Sequence, residues 1–431
     1  MAMWEYFSGK SVLITGGSGF LGTAITYRLL DRSSVCHVYI LCRGGVESKW
    51  KMWLSERTVE MLLDSTRLSV VDGDMLLLDM GISKTELEKL QLDVNAVVHT
   101  ASSINLGRPL SGLQNSIIGA SEMIARFSLT CKELDRFVYV SSAYANAHLH
   151  AQPEHPVSDV EIKEDFYDLK LQGDPMDEWN QVQENGTSES FETENFPWAY
   201  AYAKHLTERL LLQLFSQHAD KTKLLIIRPS VIGPAQAFPF PGYSIPISTP
   251  STMLAAGIAL TLSPRVKIAT RVVSPETQTH IDEVPVDVVV DRLLSHLAVG
   301  TYGCVHAVSG KKARMVFQEW WQGALMNRRI PWNSSISWVS ADWKSQEQHH
   351  FNRLYVILGA SFEFSEERTV SLSTKLTGED LSGLQLFNNI DLAGQLLDRK
   401  GHIQYVMEKF AQKGWLVWLI VKLLYGFGYT N

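Results

Sequence analysis

GKSVLITGGSGFLGTAITYRLL, residues 9–30, decides the fold. Ser11 to Thr15 is a short apolar run of the kind that forms a buried parallel strand. Gly16, Gly19 and Gly22 follow at intervals of three, and Thr23 to Leu30 carries apolar residues at helical spacing. Strand, glycine turn and helix in that order make a dinucleotide-binding fingerprint. The glycines let the backbone turn tightly and approach a pyrophosphate. The helix that opens there aims free N–H groups and its positive end at the phosphates. The plainer alternative is a glycine turn that only packs helix on strand.

Working outward, apolar runs alternate with helical stretches. Cys36 to Arg43 is the second strand, Leu68 to Asp72 the third, Val94 to Thr100 the fourth, Arg136 to Ser142 the fifth and Thr222 to Arg228 the sixth. The expected fold is α/β, a Rossmann-like doubly wound parallel sheet with a smaller, mostly helical C-terminal substrate region. The expected boundaries are 1–235 for the nucleotide-binding domain, 236–312 for a substrate-binding segment that returns to the sheet, and 313–431 for the helical region. Leu113 to Phe127 reads as one helix, as do Phe317 to Leu325 and Asp391 to Gln412. Residues 148–197 are rich in Asp, Glu, Asn, Gln and Pro and read as a solvated acidic insertion, a candidate substrate flap.

The second strand ends Cys42-Arg43-Gly44-Gly45, with no acid to take a ribose 2′-hydroxyl. Arg43 there suits a 2′-phosphate, so NADP(H) is the expected cofactor, with Lys49 and Lys51 as helpers. A plain surface arginine is the alternative. Asp74, after the third strand, is placed either to accept from an adenine amino group or to cap a turn. The expected cofactor shell comprises Thr15, Gly16, Ser18, Gly19, Phe20, Leu21 and Gly22 of the turn. It continues with Arg43, Asp74 and Met75, and with Thr100, Ala101 and Ser102 after the fourth strand.

The fifth strand ends in Ser141 and Ser142, which the carboxyl-end rule directs into the ligand crevice. Tyr200 and Lys204 are spaced i, i+4 on the most strongly helical stretch, so both project from one face. A phenol titrates at about 10. An ammonium one turn away lowers that value, while a serine hydroxyl orients a substrate carbonyl beside the phenol. Alone, Tyr-x-x-x-Lys is common on solvated helices; after a nucleotide fingerprint and a strand ending in serine it points to hydride transfer.

With these stretches in place, the chain resembles an extended short-chain dehydrogenase/reductase, and within that superfamily the fatty acyl-CoA reductase (male-sterility) family. The resemblance rests on GKSVLITGGSGFLG (9–22), VHTASS (98–103), NSIIGA (115–120), FVYVSSAYAN (137–146), YAYAKHLTERL (200–210), IRPSVIGP (227–234), FPFPGY (238–243) and VPVDVVV (284–290). It implies that Asn115 props a proton-relay water, that Ser142 takes the hydroxyl position where this family commonly carries Thr, and that Tyr200 is the general acid with Lys204 as partner. It also implies that the backbone of Pro229, Ser230 and Val231 holds the nicotinamide carboxamide. The implied reaction is reduction of a lipophilic coenzyme A or carrier-protein thioester to an aldehyde and/or an alcohol. Ser142, Tyr144, Phe238 and Phe240 are the expected substrate contacts, the aromatic-proline loop reading either as an apolar wall or as plain packing. Residues 102–105 depart from the family pattern, as do the insertion and the C-terminal region.

Two other readings stay open: an extended dehydrogenase acting on an aldehyde, ketone, alcohol or sugar, and a non-redox protein that binds or cyclises an apolar ligand. A net charge of −7 argues against a nucleic-acid partner. The four cysteines are scattered, which argues against a zinc site or a disulfide framework; no metal is expected. The first strand begins almost at once and no secretory signal is visible, so no leader is expected. A cytoplasmic location is expected. The apolar run Trp415 to Gly426, interrupted by Lys422, is too short to span a bilayer and is the candidate for peripheral membrane contact.

Overall fold

The short apolar runs become one parallel sheet. Its strands are β1 (Ser11–Thr15), β2 (His37–Cys42), β3 (Leu68–Asp72), β4 (Ala96–His99), β5 (Arg136–Val140), β6 (Leu224–Pro229) and β7 (Gly303–Ala307). The structure, a computed structural model, describes residues 3–151, 159–171, 173–218, 220–349, 352, 355–376, 378–389, 396 and 398–425. Strand order is β7-β6-β5-β4-β1-β2-β3, all parallel. In β1, Val12 and Ile14 pair with Val38 and Ile40 on one side and with Ala96 and Val98 on the other. Helices cover both faces, which is why β1 reads as an unbroken apolar run rather than an alternating one. Strand order reverses between β1 and β4, so a crevice opens at the carboxyl ends of these two strands.

Four of the helices that cover the sheet are α1 (Phe20–Arg32), α2 (Ala120–Leu129), α3 (Ala199–His218) and α4 (Val286–Ala298). The expected helix over 113–127 forms within one helical run from Leu110 to Leu129, which carries a π-turn at Asn115–Gly119 ahead of α2. Such turns re-aim side chains within a helix. α3 is built from Ala, Leu, Gln, Glu and Arg, all strong helix formers. It buries Leu206, Leu210, Leu211, Leu214 and Phe215 against the sheet.

The insertion is not the solvated flap its composition suggests. Val160–Ile162 pairs in parallel with Phe362–Phe364, and helix Pro175–Asn185 lies against α3. Three of its carboxylates are buried, each with partners, while others such as Glu161, Asp168 and Glu184 stay exposed. Glu178 takes Arg209 at 2.8 Å and the Tyr202 hydroxyl at 3.0 Å; Glu194 accepts the Lys170 N–H at 2.7 Å; Glu164 accepts the N–H groups of His306 and Arg368 at 2.9 and 2.8 Å. Residues 152–158 of this stretch lie outside the described residues.

Beyond β7 the chain is helical with short strands. Helix Phe317–Leu325 forms as expected. Of the expected helix 391–412, the described part is Lys400–Ala411, and residues 391–395 lie outside the described residues. Ser335–Ser340 pairs in parallel with Arg265–Thr270. One apolar cluster joins helix Pro250–Leu260 with Phe317, Trp320, Trp321, Val406 and Tyr425, so it takes residues from both sides of position 312. The segment 378–389 straps back over the N-terminal half. Asp380 accepts the Met3 N–H at 2.9 Å, the Gly383 carbonyl accepts from Arg28 at 2.6 Å, and the Leu386 carbonyl accepts from Arg292 at 2.7 Å. Beneath the strap, Arg28 of α1 and Asp291 of α4 form a buried ion pair at 2.7 Å.

Candidate active site

The glycine turn brings backbone against backbone. Gly16 has φ +70°, and a Cβ there would lie 2.9 Å from Thr100 Oγ1 and 3.0 Å from the Ala101 Cα. A Cβ on Gly22 would meet the Gly16 carbonyl oxygen at 2.3 Å. α1 therefore starts in direct contact with the turn. Its N-cap, Gly19, offers no side chain to its first N–H groups, which leaves them for an anion. Thr15 lies under the turn rather than in the crevice. Its hydroxyl bonds His99 Nδ1 at 2.7 Å and accepts the Ala101 N–H at 3.2 Å, while its carbonyl accepts from Thr100 Oγ1 at 2.7 Å.

A cleft of about 450 Å³ opens here. One wall is Gly16, Ser18, Gly19, Phe20, Leu21 and Gly22 with Thr100, Ala101 and Ser102. The opposite wall is Ser141, Ser142, Tyr200, Lys204, Pro229 and Ser230. Arg43 stands at its edge and also lines an adjoining recess of about 380 Å³ with Lys49, Asp74 and Met75. The Arg43 side chain is 72 % exposed and sits 3.5 Å from Asp74. Lys49 reaches Ser18 Oγ at 3.3 Å and the Arg43 carbonyl at 3.2 Å. Lys51 does not join them; it pairs with Glu47 at 2.6 Å. Asp74 accepts the Leu76 N–H at 3.0 Å, as a turn cap does, and it also lines the recess.

On the opposite wall, α3 projects Tyr200 and Lys204 together. Lys204 Nζ donates to the Val140 carbonyl at 2.9 Å and lies 5.9 Å from the Tyr200 ring centre and 4.7 Å from that of Tyr139. Burial pulls the ammonium down to about 7, against the pull of Glu208 one turn on. Burial pushes the Tyr200 phenol up to about 12, and its hydrogen bond with Ser142 opposes that shift. Desolvation is the larger of the two effects on the phenol. Ser142 Oγ also accepts the Tyr144 N–H at 3.2 Å, and the buried Ser141 Oγ has no partner among the described residues.

Several expected contacts fall elsewhere. Asn115 opens the π-turn and is exposed; from that helix Ser116 and Ala120 line the recess instead. Tyr144 is buried edge-on between Phe362 and Phe364. Phe238 packs away from the cleft, its ring stacked on Tyr27 and 4.2 Å from the Arg28 guanidinium, while Asp287 accepts the N–H groups of residues 236–238. Phe240 is half exposed against Tyr243. The N–H groups of Ser230 and Val231 are already given to the carbonyls of Ala307 and Asp282, at 3.2 and 3.1 Å, so neither is spare for a carboxamide. Sequence reasoning missed Ile104, Ile232, Ser248 and Pro250 on the cleft wall. It also missed Asp282, which is buried, accepts from Ser230 Oγ at 2.6 Å and is pushed up to about 6 by burial. No short-range pattern in the sequence ties Asp282 to Ser230.

A sheet of this order, with a glycine turn at the switch point and a Ser, Tyr and Lys set on the facing wall, is the fold of an extended short-chain dehydrogenase/reductase. The chain belongs to the NAD-binding male sterility protein family, whose model matches residues 14–293. Fatty acyl-CoA reductase 2 of Homo sapiens is 25% identical over 321 residues, covering 70% of this chain and 56% of that protein. Fatty acyl-CoA reductase 1 of Xenopus laevis is 26% identical over 304 residues, covering 68% and 55%. The chain thus spans about half the length of the curated relatives it matches. Among solved structures, the terminal R domain of the myxalamid PKS-NRPS pathway superposes with a TM-score of 0.60 at 15% identity, covering 92% of this chain and 91% of that one. The NAD complex of UDP-glucuronic acid 4-epimerase from Bacillus cereus gives a TM-score of 0.53 at 12% identity, covering 92% and 99%. These two likenesses concern the fold.

Proposed function

We propose that the protein is an NADPH-dependent reductase of a lipophilic acyl thioester, of the fatty acyl-CoA type. The observation that carries this reading is that Ser142, Tyr200 and Lys204 share one cleft with the glycine turn. The family and the names of the relatives support the substrate class, a coenzyme A or carrier-protein thioester. A nicotinamide dinucleotide fits the residues present: Gly16 and Gly22 leave no room for a Cβ, and Gly19 leaves the α1 N–H groups uncapped. Arg43 and Lys49 at the end of β2 support the 2′-phosphate form, since no carboxylate stands on that strand end. The Arg43–Asp74 contact is long and solvated, and such pairs are weak, so a phosphate dianion displaces it readily.

When bound, the reduced nicotinamide supplies a hydride. Ser142 Oγ, already bonded to the Tyr200 phenol, orients the carbonyl oxygen of the thioester beside it. Tyr200, protonated at neutral pH because burial raises its pKa, donates its proton to that oxygen as the carbonyl carbon is reduced. The phenolate then takes the proton back from the resulting hemithioacetal hydroxyl. The C–S bond breaks, and the thiol leaves with its own proton from solvent. Lys204, one turn away, offsets the phenolate charge while it exists. A phenol held in its acid form suits reduction, where a proton is given, better than alcohol oxidation, where one is taken.

Incubating the full chain with NADPH and a panel of long-chain acyl-CoAs, the matching aldehydes, ketones and UDP-sugars, and identifying products, tests this reading. Aldehyde or alcohol formed from the thioester with one NADPH consumed per two-electron step is the expected result. Turnover of aldehydes or ketones alone, or epimerised sugar without net NADPH loss, overturns the thioester assignment.

A further inference from the structure

The described chain closes with helix Trp415–Tyr425, WLVWLIVKLLY, which packs on helix Lys400–Ala411 and on helix Pro250–Leu260. Its buried residues are Val421 and Tyr425. Trp415 is 76 % exposed, Leu416 51 %, Trp418 48 % and Leu423 72 %. An apolar surface of this kind on a water-facing helix marks an interaction site. At about 1.5 Å per residue an eleven-residue helix is about half the length needed to cross a bilayer, and no helix among the described residues is long and apolar enough to do so.

Charge decides between occupants. Residues 409–425 carry Lys409, Lys413 and Lys422 and no Asp or Glu, on a chain whose net charge is −7. A second copy meeting this face two-fold would set the same lysines against themselves. A bilayer with anionic headgroups complements them, and tryptophan is the side chain whose apolar body and N–H donor suit the headgroup boundary.

We propose that helix Trp415–Tyr425 docks flat in the headgroup layer of an anionic membrane, burying Trp415, Leu416, Trp418 and Leu423 there. The docking stands independently of the reaction assigned above.

Co-sedimentation of the full chain with phosphatidylcholine vesicles, with and without phosphatidylserine, at low and high salt, tests it. Expected are binding that needs phosphatidylserine and weakens with salt, and a blue shift of tryptophan emission in the wild-type chain on adding those vesicles. Trp418→Ser or Leu423→Ser, both at exposed positions, weakens binding about tenfold or more, and Lys413→Gln about fivefold on anionic vesicles only. Absence of vesicle binding by the wild-type chain, binding indifferent to these variants, or a concentration-dependent dimer that the same variants abolish would each overturn the proposal.

Discussion

Tyr200 and Arg43 both line the cleft, and the proposed reaction gives them different work, so their variants separate chemistry from binding. Tyr200→Phe removes the proposed proton donor and leaves the ring. Turnover falls about 10²–10⁴-fold, the usual worth of a positioned acid, while NADPH affinity, read by fluorescence titration, stays within about twofold. Arg43→Ala removes a charge-assisted contact of about 1.5–3 kcal/mol. NADPH binding weakens roughly ten- to a hundredfold, whereas NADH binding is unchanged; equal loss for both cofactors defeats the 2′-phosphate role. Asp282 shows what single residues hide in a sequence. Its carboxylate joins Ser230 to the N–H groups of Ser309 and Gly310, at 2.8 and 3.2 Å. The partners lie 52, 27 and 28 positions away, beyond any periodicity.

Among elements, α3 is held to β6 by a buried fork. Arg228 gives two hydrogen bonds to Glu208, at 2.6 and 3.0 Å, and one to the Asp165 carbonyl of the insertion at 2.8 Å. Arg228→Met leaves Glu208 buried without its cation and costs about 3–5 kcal/mol, read as a lower urea midpoint. Arg228→Met with Glu208→Leu recovers most of that loss, because the stranded charge is gone. The parallel strands, the glycine turn and α3 were legible because each is a local apolar period. The insertion was not: Glu164, Glu178 and Glu194 count as solvated by composition, and only long-range partners bury them. Phe238 misled for the converse reason. An aromatic-proline loop looks the same whether it faces a ligand or, as here, a guanidinium on α1. Asn115, whose role came from the resemblance alone, is exposed and opens a π-turn, a local feature that a pattern of helical spacing does not register.

For the whole molecule, buried histidines set an acid limit. His99, His148, His296 and His306 are each pulled down to about 3 by burial. In the unfolded chain they titrate near the ordinary value of 6.5. Their contribution is therefore whole above 6.5 and is lost as pH falls from there toward 3, because only the unfolded state binds the protons. Each histidine removes about 1.4 kcal/mol per pH unit across that window. Asp282 and Asp291 work the other way, their carboxyls, raised to about 6 by burial, favouring the folded state below the ordinary 3.8 and losing that advantage as pH rises through about 6. Burial raises Asp287 and Glu164 too, but it also lowers His37, His205, His280 and His402, so the histidines outweigh the carboxyls and the melting temperature drops from pH 6.5 to 4. A flat profile over that range would contradict the burial of these rings.

The strap at 378–389 adds a kinetic consequence. Its hydrogen bond to Met3 closes a loop of 377 residues, and its bond to Arg28 one of 355. β7 likewise joins the sheet long after β6 in chain order. Contacts between such distant positions make folding slow, since loop closure precedes the reward. During synthesis, the half that carries the glycine turn emerges first and waits for the strap, its face of α1 uncovered. That interval is when the nascent chain is most exposed to chaperones and to self-association.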